Sequence, residues 1–455
     1  MATTRKRGGH RAWWALSGSI VLLAAACTSS GTATPTAGAP TATPGGGATA
    51  TPAGSTGSGG SLTGQHVSVI GTWSGDEQTA FLKMVQPWED QTGAKVDYTG
   101  TRDIDAVLTT GVAAGTLPDL AGLPGPGQMA EYAAAGALQD LSKVLDVPTY
   151  TSETSAPLVK LGTVNGTLVG VFIKTSIKGL IWYDPKVNDF SASPPTTWDA
   201  LQAAITANAS KAAKPWCLGI ESGAASGWPG TDWIEDLVLR EAGPDVYNSW
   251  YQGKTKWDDP AIMKAWTDFG QVVANSYGGA NTIATTNFAN AGDPLFKSPP
   301  GCLFLHQASF ITGLGAFKTA KSGTDYNFFP FPDVNTQYTG AVEGAGDLFG
   351  MFHNTPAAAS LMKYLVTAPA QDIWVKIGGA ISANKNATDY PDDISKRSAE
   401  LLANAKIFVF DASDLMPAAM NQAFEDAIVK YVQHPDQLAS ILSDLNKTQA
   451  DAYSQ

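Results

Sequence analysis

The most constraining feature of the chain is an alternation of strand and helix patterns that begins at residue 66. The segment HVSVIGT (66–72) is β-branched and alternates in polarity, whereas the residues after it show the 3.6-residue apolar period of a helix. The predicted elements are a strand at 66–72, a helix from Asp76 with Phe81, Leu82, Val85 and Trp88 on one face, a strand at 95–98, a helix at 104–114 and a strand at 118–123. Pro87 falls inside the first helix and predicts a kink or a shifted start there. Strands and helices joined in this way predict a parallel α/β sheet.

The same alternation returns in the middle of the chain. The predicted elements there are a helix at 197–207, a strand at 217–220, a helix at 231–240 that stops before Gly243-Pro244, and a helix to Val273 that opens at Asp259-Pro260. Thr355-Pro356 repeats that helix start, and the chain after about Asn354 is mostly helical, ending with 416–433 and 435–452. About 390 residues follow the N-terminal segments, which is too long for one hydrophobic core and predicts two lobes.

Residues 1–26 have the pattern of a secretory signal. Four basic residues precede an apolar stretch of about 14 residues, which ends in small residues before Cys27. A membrane span needs roughly 20 residues, so a permanent transmembrane anchor is the weaker alternative. The cleavage site resembles a bacterial lipobox, although Ala24 stands where leucine is most common, and this predicts lipidation of Cys27 rather than an incidental thiol.

Residues 28–62 contain almost only Thr, Ser, Gly, Ala and Pro. Such a segment cannot bury enough apolar surface to offset its ordering entropy. We therefore expect residues 27–63 to be a disordered tether between a lipid anchor and the folded part.

The net charge of −12 becomes −16 once the four basic residues of the signal are removed. A surface this acidic repels phosphate backbones and anionic ligands, which argues against nucleic-acid binding. With Cys27 lipidated, Cys217 and Cys302 remain as an even pair in an oxidising compartment, which favours a disulfide over two buried thiols. No zinc spacing, nucleophile elbow or phosphate-binding loop is present, so we expect no metal, cofactor or catalytic residue. Paired-carboxylate glycosidase chemistry has no short motif and stays open at this point.

Several segments, taken in order, resemble the extracellular solute-binding proteins of carbohydrate ABC importers. The group includes maltose-binding proteins, and the resemblance is closest to its α-glucoside-binding subgroup. The segments are GTWSGDEQTAF (71–81), AGTLPDLAGLPGPGQM (114–129), LVGVFIKTSIKGLIWYDP (168–185), PPTTWDAL (194–201), PWCLGIESGAASGWPGTDWIEDLVLR (215–240), GCLFLHQASFI (301–311), GAGDLFGMF (344–352) and FDASDLMPAA (410–419). The C-terminal segment MNQAFEDAIVKYV lacks the tryptophan that many relatives carry there.

The resemblance implies an α/β fold of the periplasmic-binding-protein type (type II), with a ligand cleft between two lobes and three hinge crossings. The crossings are expected near residues 175, 341 and 405, which gives an N-terminal lobe of 64–175 with 341–405 and a C-terminal lobe of 176–340 with 406–455. It also implies a monomer on the outer face of the cell membrane that closes around a carbohydrate and delivers it to permease subunits.

A sugar offers apolar C–H faces and a rim of hydroxyls, so its site needs aromatic rings and planar polar groups. The aromatic candidates are Trp73, Trp182, Tyr183, Trp228 and Trp233, each at the end of a predicted strand or at the start of a helix, with core packing as the alternative. The polar candidates are Asp119, Gln128, Lys174, Glu221, Gln307 and Asp347. Among these, Glu221 is the preferred hydroxyl acceptor by its match to the family pattern. Structural roles such as turn bracing, helix capping or solvation are the alternatives, and His306 is expected to be a half-buried structural residue.

The sequence therefore predicts the receptor of an ABC-type sugar importer and no enzyme. The alternatives are an extracellular glycoside-acting enzyme and a binding protein for a neutral solute other than sugar. A lectin-like adhesin is disfavoured, because such modules are usually β-sandwiches.

Overall fold

The structure is a computed structural model that describes residues 62–123 and 125–454. The predicted signal segment, Cys27 and all but the last two residues of the predicted tether lie outside the described residues. None of the described helices combines the length and apolar content that a bilayer crossing requires.

The strands alternate with helices along the described chain. The strands are β1 (His66–Gly71), β2 (Lys95–Gly100), β3 (Leu120–Leu123), β4 (Thr163–Val164), β5 (Thr167–Leu168), β6 (Gly170–Ile177), β7 (Leu180–Tyr183), β8 (Lys214–Cys217), β9 (Cys302–Gln307), β10 (Asn327–Pro330), β11 (Ala341–Met351), β12 (Ile381–Ser382) and β13 (Ile407–Phe410). The helices are α1 (Gly75–Thr92), α2 (Ile104–Ala114), α3 (Pro126–Ala134), α4 (Val147–Glu153), α5 (Ala156–Leu161), α6 (Trp198–Asn208), α7 (Trp228–Tyr251), α8 (Pro260–Ala274), α9 (Gly279–Thr285), α10 (Pro356–Leu365), α11 (Ala368–Ile377), α12 (Asp393–Ala403), α13 (Ala412–Leu415), α14 (Ala418–Gln433) and α15 (Leu438–Ala452).

The predicted start signals of two helices are confirmed. The Asp259 carboxylate accepts a hydrogen bond from the Ala261 amide at the start of α8. The Thr355 hydroxyl accepts one from the Ala358 amide at the start of α10. Each cap satisfies a backbone donor that the first turn of a helix leaves unpaired.

Four local predictions can be compared with the structure. Helix α1 begins at Gly75 and contains Pro87 at an exposed position, so the proline does not shift the start of the helix, and the kink stays a prediction. Leu82 is 37% exposed and does not belong to the buried face. The strand predicted at 217–220 is β8, which ends at Cys217. The helix stop predicted at Gly243-Pro244 is confirmed, because Gly243 has non-helical backbone angles (φ 86°, ψ 174°) that break α7 there.

The first lobe is built on a seven-stranded sheet in the order β12-β6-β11-β3-β1-β2, with β13 paired to β11. Strand β1 is parallel to β2 and β3, as the alternation predicted. Strand β11 runs antiparallel to β3 and β6, so the complete sheet is mixed. Apolar side chains of α1, α10 and α11 pack against this sheet.

The second lobe is built on a four-stranded sheet in the order β10-β7-β9-β8. Its largest apolar cluster joins this sheet to α7, α8, α14 and α15. The predicted disulfide between Cys217 and Cys302 is confirmed and links β8 to β9.

The chain changes sheet three times. It does so between Ile177 and Leu180, between Pro330 and Ala341, and after Phe410, where α13 and α14 pack on the second lobe. These changes lie close to the predicted crossings, the first and third a few residues later than predicted. The lobe boundaries themselves stay a prediction.

Candidate ligand-binding site

A cavity lies between the two lobes. Its empty volume is about 1220 Å³, a figure that includes the solvent at its mouth. First-lobe residues line it at the ends of β1, β2 and β3, which is where open α/β sheets place their binding crevices. Second-lobe residues come from α7, α13, α14 and the short turns around Phe288 and Phe310.

The structure brings together only part of the predicted set. The predicted residues that line the cavity are Trp73, Gln128, Lys174, Trp228 and Asp347. Those that do not line it are Asp119, Trp182, Tyr183, Glu221, Trp233 and Gln307.

Trp73 stands directly after β1 and belongs to both the core and the cavity wall. Its ring is 5.2 Å from that of Phe81 and 4.7 Å from that of Trp374, and the residue is 2% exposed. The Tyr98 hydroxyl donates to the Trp73 carbonyl at 3.0 Å, which fixes the backbone at this turn. The ring is therefore a rigid part of the first-lobe wall.

Trp228 opens α7 on the opposite wall. Its ring meets Phe288 edge to face at 5.0 Å, and the Phe310 ring is 5.8 Å away. The Trp228 Nε1 is buried and has no hydrogen-bond acceptor among the described residues. This wall thus presents clustered aromatic surface together with a free indole donor.

Lys174 is at the centre of a charged group on the first-lobe side. Its Nζ lies 2.8 Å from Glu77 Oε1 and 3.6 Å from Asp347 Oδ2, and Arg102 Nη2 lies 3.3 Å from Glu77 Oε2. Burial alone would raise the pKa of Glu77, but the two cations hold that pKa below its ordinary value. The same carboxylates outweigh burial at Lys174 and raise its pKa. The Lys174–Glu77 pair is therefore ionised and compensates its own charge, whereas burial raises the pKa of Asp347.

Sequence reasoning missed several lining residues, among them Glu77, Arg102, Phe288 and Phe310. Glu77 and Arg102 follow the ends of β1 and β2, so their position after a strand could have marked them as Trp73 was marked. Phe288 and Phe310 lie in irregular turns between β8 and β10, where no periodic pattern distinguishes them.

Three predicted aromatic contacts belong to the second-lobe core instead. The Trp182 ring packs on Phe317 and Phe328, and its Nε1 donates to the Gln307 carbonyl at 2.8 Å. The remaining pair, Tyr183 and Trp233, pack against Phe190 and Trp216, respectively. Strand β7 lies inside its sheet with all of its residues buried, so its end does not reach the cleft.

The other three predicted residues brace the backbone. Asp119 Oδ2 accepts from the Ser68 amide and hydroxyl at 2.9 Å each. Glu221 accepts from the Gly223 amide and from Asn287 Nδ2, at 2.8 and 2.7 Å. The buried Gln307 side chain accepts from the Ala308 amide at 2.8 Å. Each has a structural partner in place of cleft exposure.

Comparison with known proteins places this geometry in a family. The model of the bacterial extracellular solute-binding protein family matches residues 83–403. The chain belongs to this family. Because the family consists of solute-binding proteins, the expectation of a receptor is confirmed and the glycoside-acting alternative is set aside.

Two curated solute-binding proteins are similar over most of their length. One is the osmoprotective compounds-binding protein GgtB of Synechocystis, 35% identical over 390 residues that cover 84% of this chain and 91% of GgtB. The other is the alpha-glucosides-binding periplasmic protein AglE of Rhizobium meliloti, 34% identical over 392 residues that cover 82% and 85%. Among solved structures, the bacterial solute receptor AcbH superposes with a TM-score of 0.73 at 18% identity, over 86% of this chain and 99% of AcbH. That structural likeness confirms the predicted two-lobed fold.

In a solute-binding protein of this fold, the crossings form the hinge, and here each crossing contributes a buried charged residue. Lys178 Nζ lies 2.7 Å from Asp232 Oδ1 and 2.9 Å from Asp411 Oδ2. Carboxylate oxygens of Asp232, Glu343 and Asp411 lie within 4.8 Å of one another. Both oxygens of Glu343 are buried without a hydrogen-bond partner among the described residues. Burial, opposed by Lys178, raises the pKa of Asp232 to about 7.

Another buried ionic group lies beside the hinge cluster. His306 Nε2 is 2.6 Å from Asp236 Oδ2, and the same carboxylate pairs with Arg240. Burial lowers the pKa of His306 more than Asp236 raises it, so the imidazole is mainly neutral at pH 7. His306 thus has the structural role expected of it, although it is fully buried and not half-buried.

Proposed function

We propose that the chain is the receptor of an ABC-type importer and captures a neutral, hydroxyl-rich ligand, an α-glucoside-like oligosaccharide. The observation that carries the proposal is a cleft that combines exposed parts of aromatic rings with charges that are already paired. Trp228 and Phe288 offer faces for sugar C–H groups, and the Lys174–Glu77 pair offers fixed hydrogen-bonding groups. The proposed ligand contacts are Trp73, Gln128, Lys174, Trp228 and Asp347.

Neutrality of the ligand follows from the charge balance of the cleft. The cations Arg102 and Lys174 are engaged by Glu77 and Asp347, and Lys178 is engaged by Asp232 and Asp411. Additional carboxyl groups, including Asp414 and Glu425, line the same cavity without a basic partner among the described residues. An anion entering the cleft would therefore find each of these cations already paired and no further cation among the described lining residues.

The names of two relatives support two kinds of ligand. AglE is named for alpha-glucosides, which favours an α-glucoside-like oligosaccharide, whereas GgtB is named for osmoprotective compounds, which keeps a neutral solute other than sugar as the second candidate. The chain is similar in sequence to both proteins to nearly the same degree.

The proposal includes a place in the cell. Residues 1–26 direct secretion, Cys27 carries the lipid, and the tether presents a monomeric receptor on the outer face of the membrane to its permease. The lipobox-like site and the uncharged segment after it support this location.

Calorimetry tests the ligand class. The purified chain from residue 62 onward is titrated with maltose, trehalose, sucrose, maltotriose and cellobiose, with a sugar phosphate as the anionic control. We expect saturable binding of at least one α-linked sugar and none of the phosphate. Binding of the phosphate, or of no sugar, would contradict the proposal.

A further inference from the structure

The wall that α14 contributes to the cleft is polar. Asn421, Gln422 and Glu425 all line the cavity from this 16-residue helix, and residues 421 and 425 are one helical turn apart on the same face. Opposite them in the cavity lining is Gln128 of α3, from the first lobe. The two amides and the carboxyl group thus form one end of the cleft, which we call the polar end (Gln128, Asn421, Glu425).

Two acceptor atoms at the polar end have no partner. Gln128 Oε1 and Asn421 Oδ1 are buried, and no described residue donates a hydrogen bond to either of them. The orientation of Gln128 is fixed, because its Nε2 donates to Asp105 Oδ1 at 2.7 Å and a carboxylate can only accept. Its oxygen is therefore left for another donor. An unpaired buried acceptor is costly, and two in one cavity indicate a ligand that supplies hydroxyl donors.

Glu425 completes the set with a different property. The residue is 7% exposed and its carboxyl group makes no hydrogen bond or ion pair with the described residues. Burial raises the pKa of this carboxyl group well above its ordinary value, which favours the protonated form, and that form can donate a hydrogen bond as well as accept one. One donor beside two acceptors matches neighbouring hydroxyls, each of which can give and receive a hydrogen bond.

The polar end is held by direct contact between the lobes. Glu131 of α3 accepts a hydrogen bond from the Ala418 amide, at the first residue of α14, at 2.9 Å. A Cβ added at Gly127 would lie 2.1 Å from the Met416 carbonyl oxygen, so only glycine lets α3 approach the link between α13 and α14 so closely. These contacts hold α3, and with it Gln128, close to the start of α14.

We propose that the polar end (Gln128, Asn421, Glu425) is a specificity-determining subsite, which recognises adjacent hydroxyl groups of one sugar unit by hydrogen bonds rather than by aromatic stacking. This rests on the proposed function, since it assigns these three residues to the ligand of that cleft. A sugar lacking one of the recognised hydroxyls leaves a buried acceptor unpaired and is rejected.

Variants of the protein and deoxy analogues of the sugar together test whether the polar end recognises sugar hydroxyls. The probe is the tightest-binding sugar of the calorimetric panel, with its set of monodeoxy analogues. Asn421→Ala and Glu425→Ala are expected to weaken binding of the parent sugar about 5- to 150-fold. Glu425→Gln keeps a donor and an acceptor in the same shape and should stay within about fivefold of the wild type. Gln433→Ala, at an exposed position of α14 outside the cavity lining, is the matched control and should change nothing.

The decisive readout is non-additivity. One deoxy analogue should bind the wild type more weakly than the parent sugar does, and Asn421→Ala should not reduce its affinity further. The reason is that the missing hydroxyl and the missing amide are the two partners of one hydrogen bond. If Glu425→Ala lowers the melting temperature, the affinities of Asn421→Ala and Glu425→Gln test the role of the polar end in sugar binding. If the folded variants bind every sugar as the wild type does, the proposed role of the polar end is wrong and the proposed function is unaffected. If the wild type binds no sugar, the proposed function is wrong as well.

Discussion

The aromatic residues show how far a single side chain can be assigned from the sequence. Trp73, Trp182, Trp228 and Trp233 were all placed near strand ends or helix starts, but only Trp73 and Trp228 line the cleft. The difference depends on partners that are distant in sequence, such as Phe317 and Phe328 around Trp182. A strand end indicates where a backbone emerges, whereas the direction of a ring is decided by the side chains that surround it.

Replacing Trp228 should separate binding from folding. Trp228→Ala removes the ring that packs on Phe288 and is expected to weaken sugar binding about 5- to 150-fold, since one aromatic platform contributes on the order of 1 to 3 kcal/mol. Trp198 stacks on Phe331 outside the cleft, so Trp198→Ala should lower the melting temperature and leave the affinity unchanged. Calorimetry and thermal unfolding of both variants measure this. Equal affinities for folded Trp228→Ala and the wild type would remove Trp228 from the site.

Glu343 should make the protein less stable as the pH rises. Burial and the surrounding carboxylates of Asp236, Glu235, Asp411 and Asp232 raise its pKa well above the ordinary 4.5. The unfolded chain therefore releases this proton first, and stability that is present below pH 4.5 is lost as the pH rises toward the folded-state pKa. Each unit of that shift costs about 1.4 kcal/mol.

Glu343→Gln removes this titration. We expect the variant to gain more stability over the wild type at pH 8 than at pH 5, measured by denaturant unfolding at both values. In the variant, the free energy of unfolding should still fall as the pH rises, but less steeply than in the wild type, because Asp232 and Glu235 also have raised pKa values. The exposed Glu400 offers the control substitution Glu400→Gln. A variant less stable than the wild type at pH 8 would show that Glu343 is needed in its ionised form.

At the scale of elements, the sequence predicted the features that depend on neighbouring residues. The order β1-α1-β2-α2-β3 and its parallel pairing follow from the periodic spacing of apolar residues and from the short connections between elements, and the structure confirms both. The antiparallel insertion of β11 between β3 and β6 joins residues more than 150 positions apart, and no periodic pattern encodes such pairing. Strand β8 was placed a few residues too late because Leu218 and Ile220 are buried outside any strand, and burial alone resembles a strand in sequence.

The disulfide should stabilise the second lobe through β8 and β9. Cys217 and Cys302 have Cα atoms 5.4 Å apart and enclose a loop with a sequence separation of 85. The chain-entropy model gives such a loop about 4 to 5 kcal/mol, an upper figure for the loss expected in Cys217→Ser/Cys302→Ser. Denaturant unfolding with and without reductant measures it, and reductant should affect only the wild type. Detection of two free thiols in the native chain from residue 62 would contradict the assignment.

For the whole molecule, the resemblance supplied the two lobes and the approximate crossings, but not what holds the crossings together. Lys178, Glu343 and Asp411 come from three separate crossings and meet in one buried cluster. Each looks like an ordinary charged residue in sequence. Their convergence is a property of the folded hinge, so composition and spacing could not have revealed it.

The proposed lipid anchor at Cys27 can be tested by its removal. Cys27→Ser should release the protein into the medium, because an acidic folded part and an uncharged tether have no other affinity for an anionic membrane. Fractionation of producing cells, with immunodetection in membrane and medium, measures the distribution. A serine variant that stays with the membrane in high salt would show that the anchor lies elsewhere.

Two of the charged contacts that cross the cleft, those of Arg102 and Lys318, should differ in how much they contribute to closure. Arg102 of the first lobe packs over the Phe288 ring of the second at 4.9 Å, and the side chains of Arg102 and of its ionic partner Glu77 are only 23% and 12% exposed. Lys318 of the second lobe pairs with Asp76 of the first, where the two side chains are 53% and 44% exposed. Exposed ion pairs contribute about 0 to 1 kcal/mol, whereas a shielded cation on an aromatic face contributes on the order of 1 to 2 kcal/mol.

Arg102→Ala should therefore weaken sugar binding roughly 5- to 30-fold. X-ray scattering should also show that adding sugar decreases the radius of gyration of this variant less than that of the wild type. Lys318→Ala should leave both nearly unchanged, and its small effect should disappear at high salt. If the two variants behaved alike, closure would not depend on Arg102, and the Phe288 contact would be incidental to ligand capture.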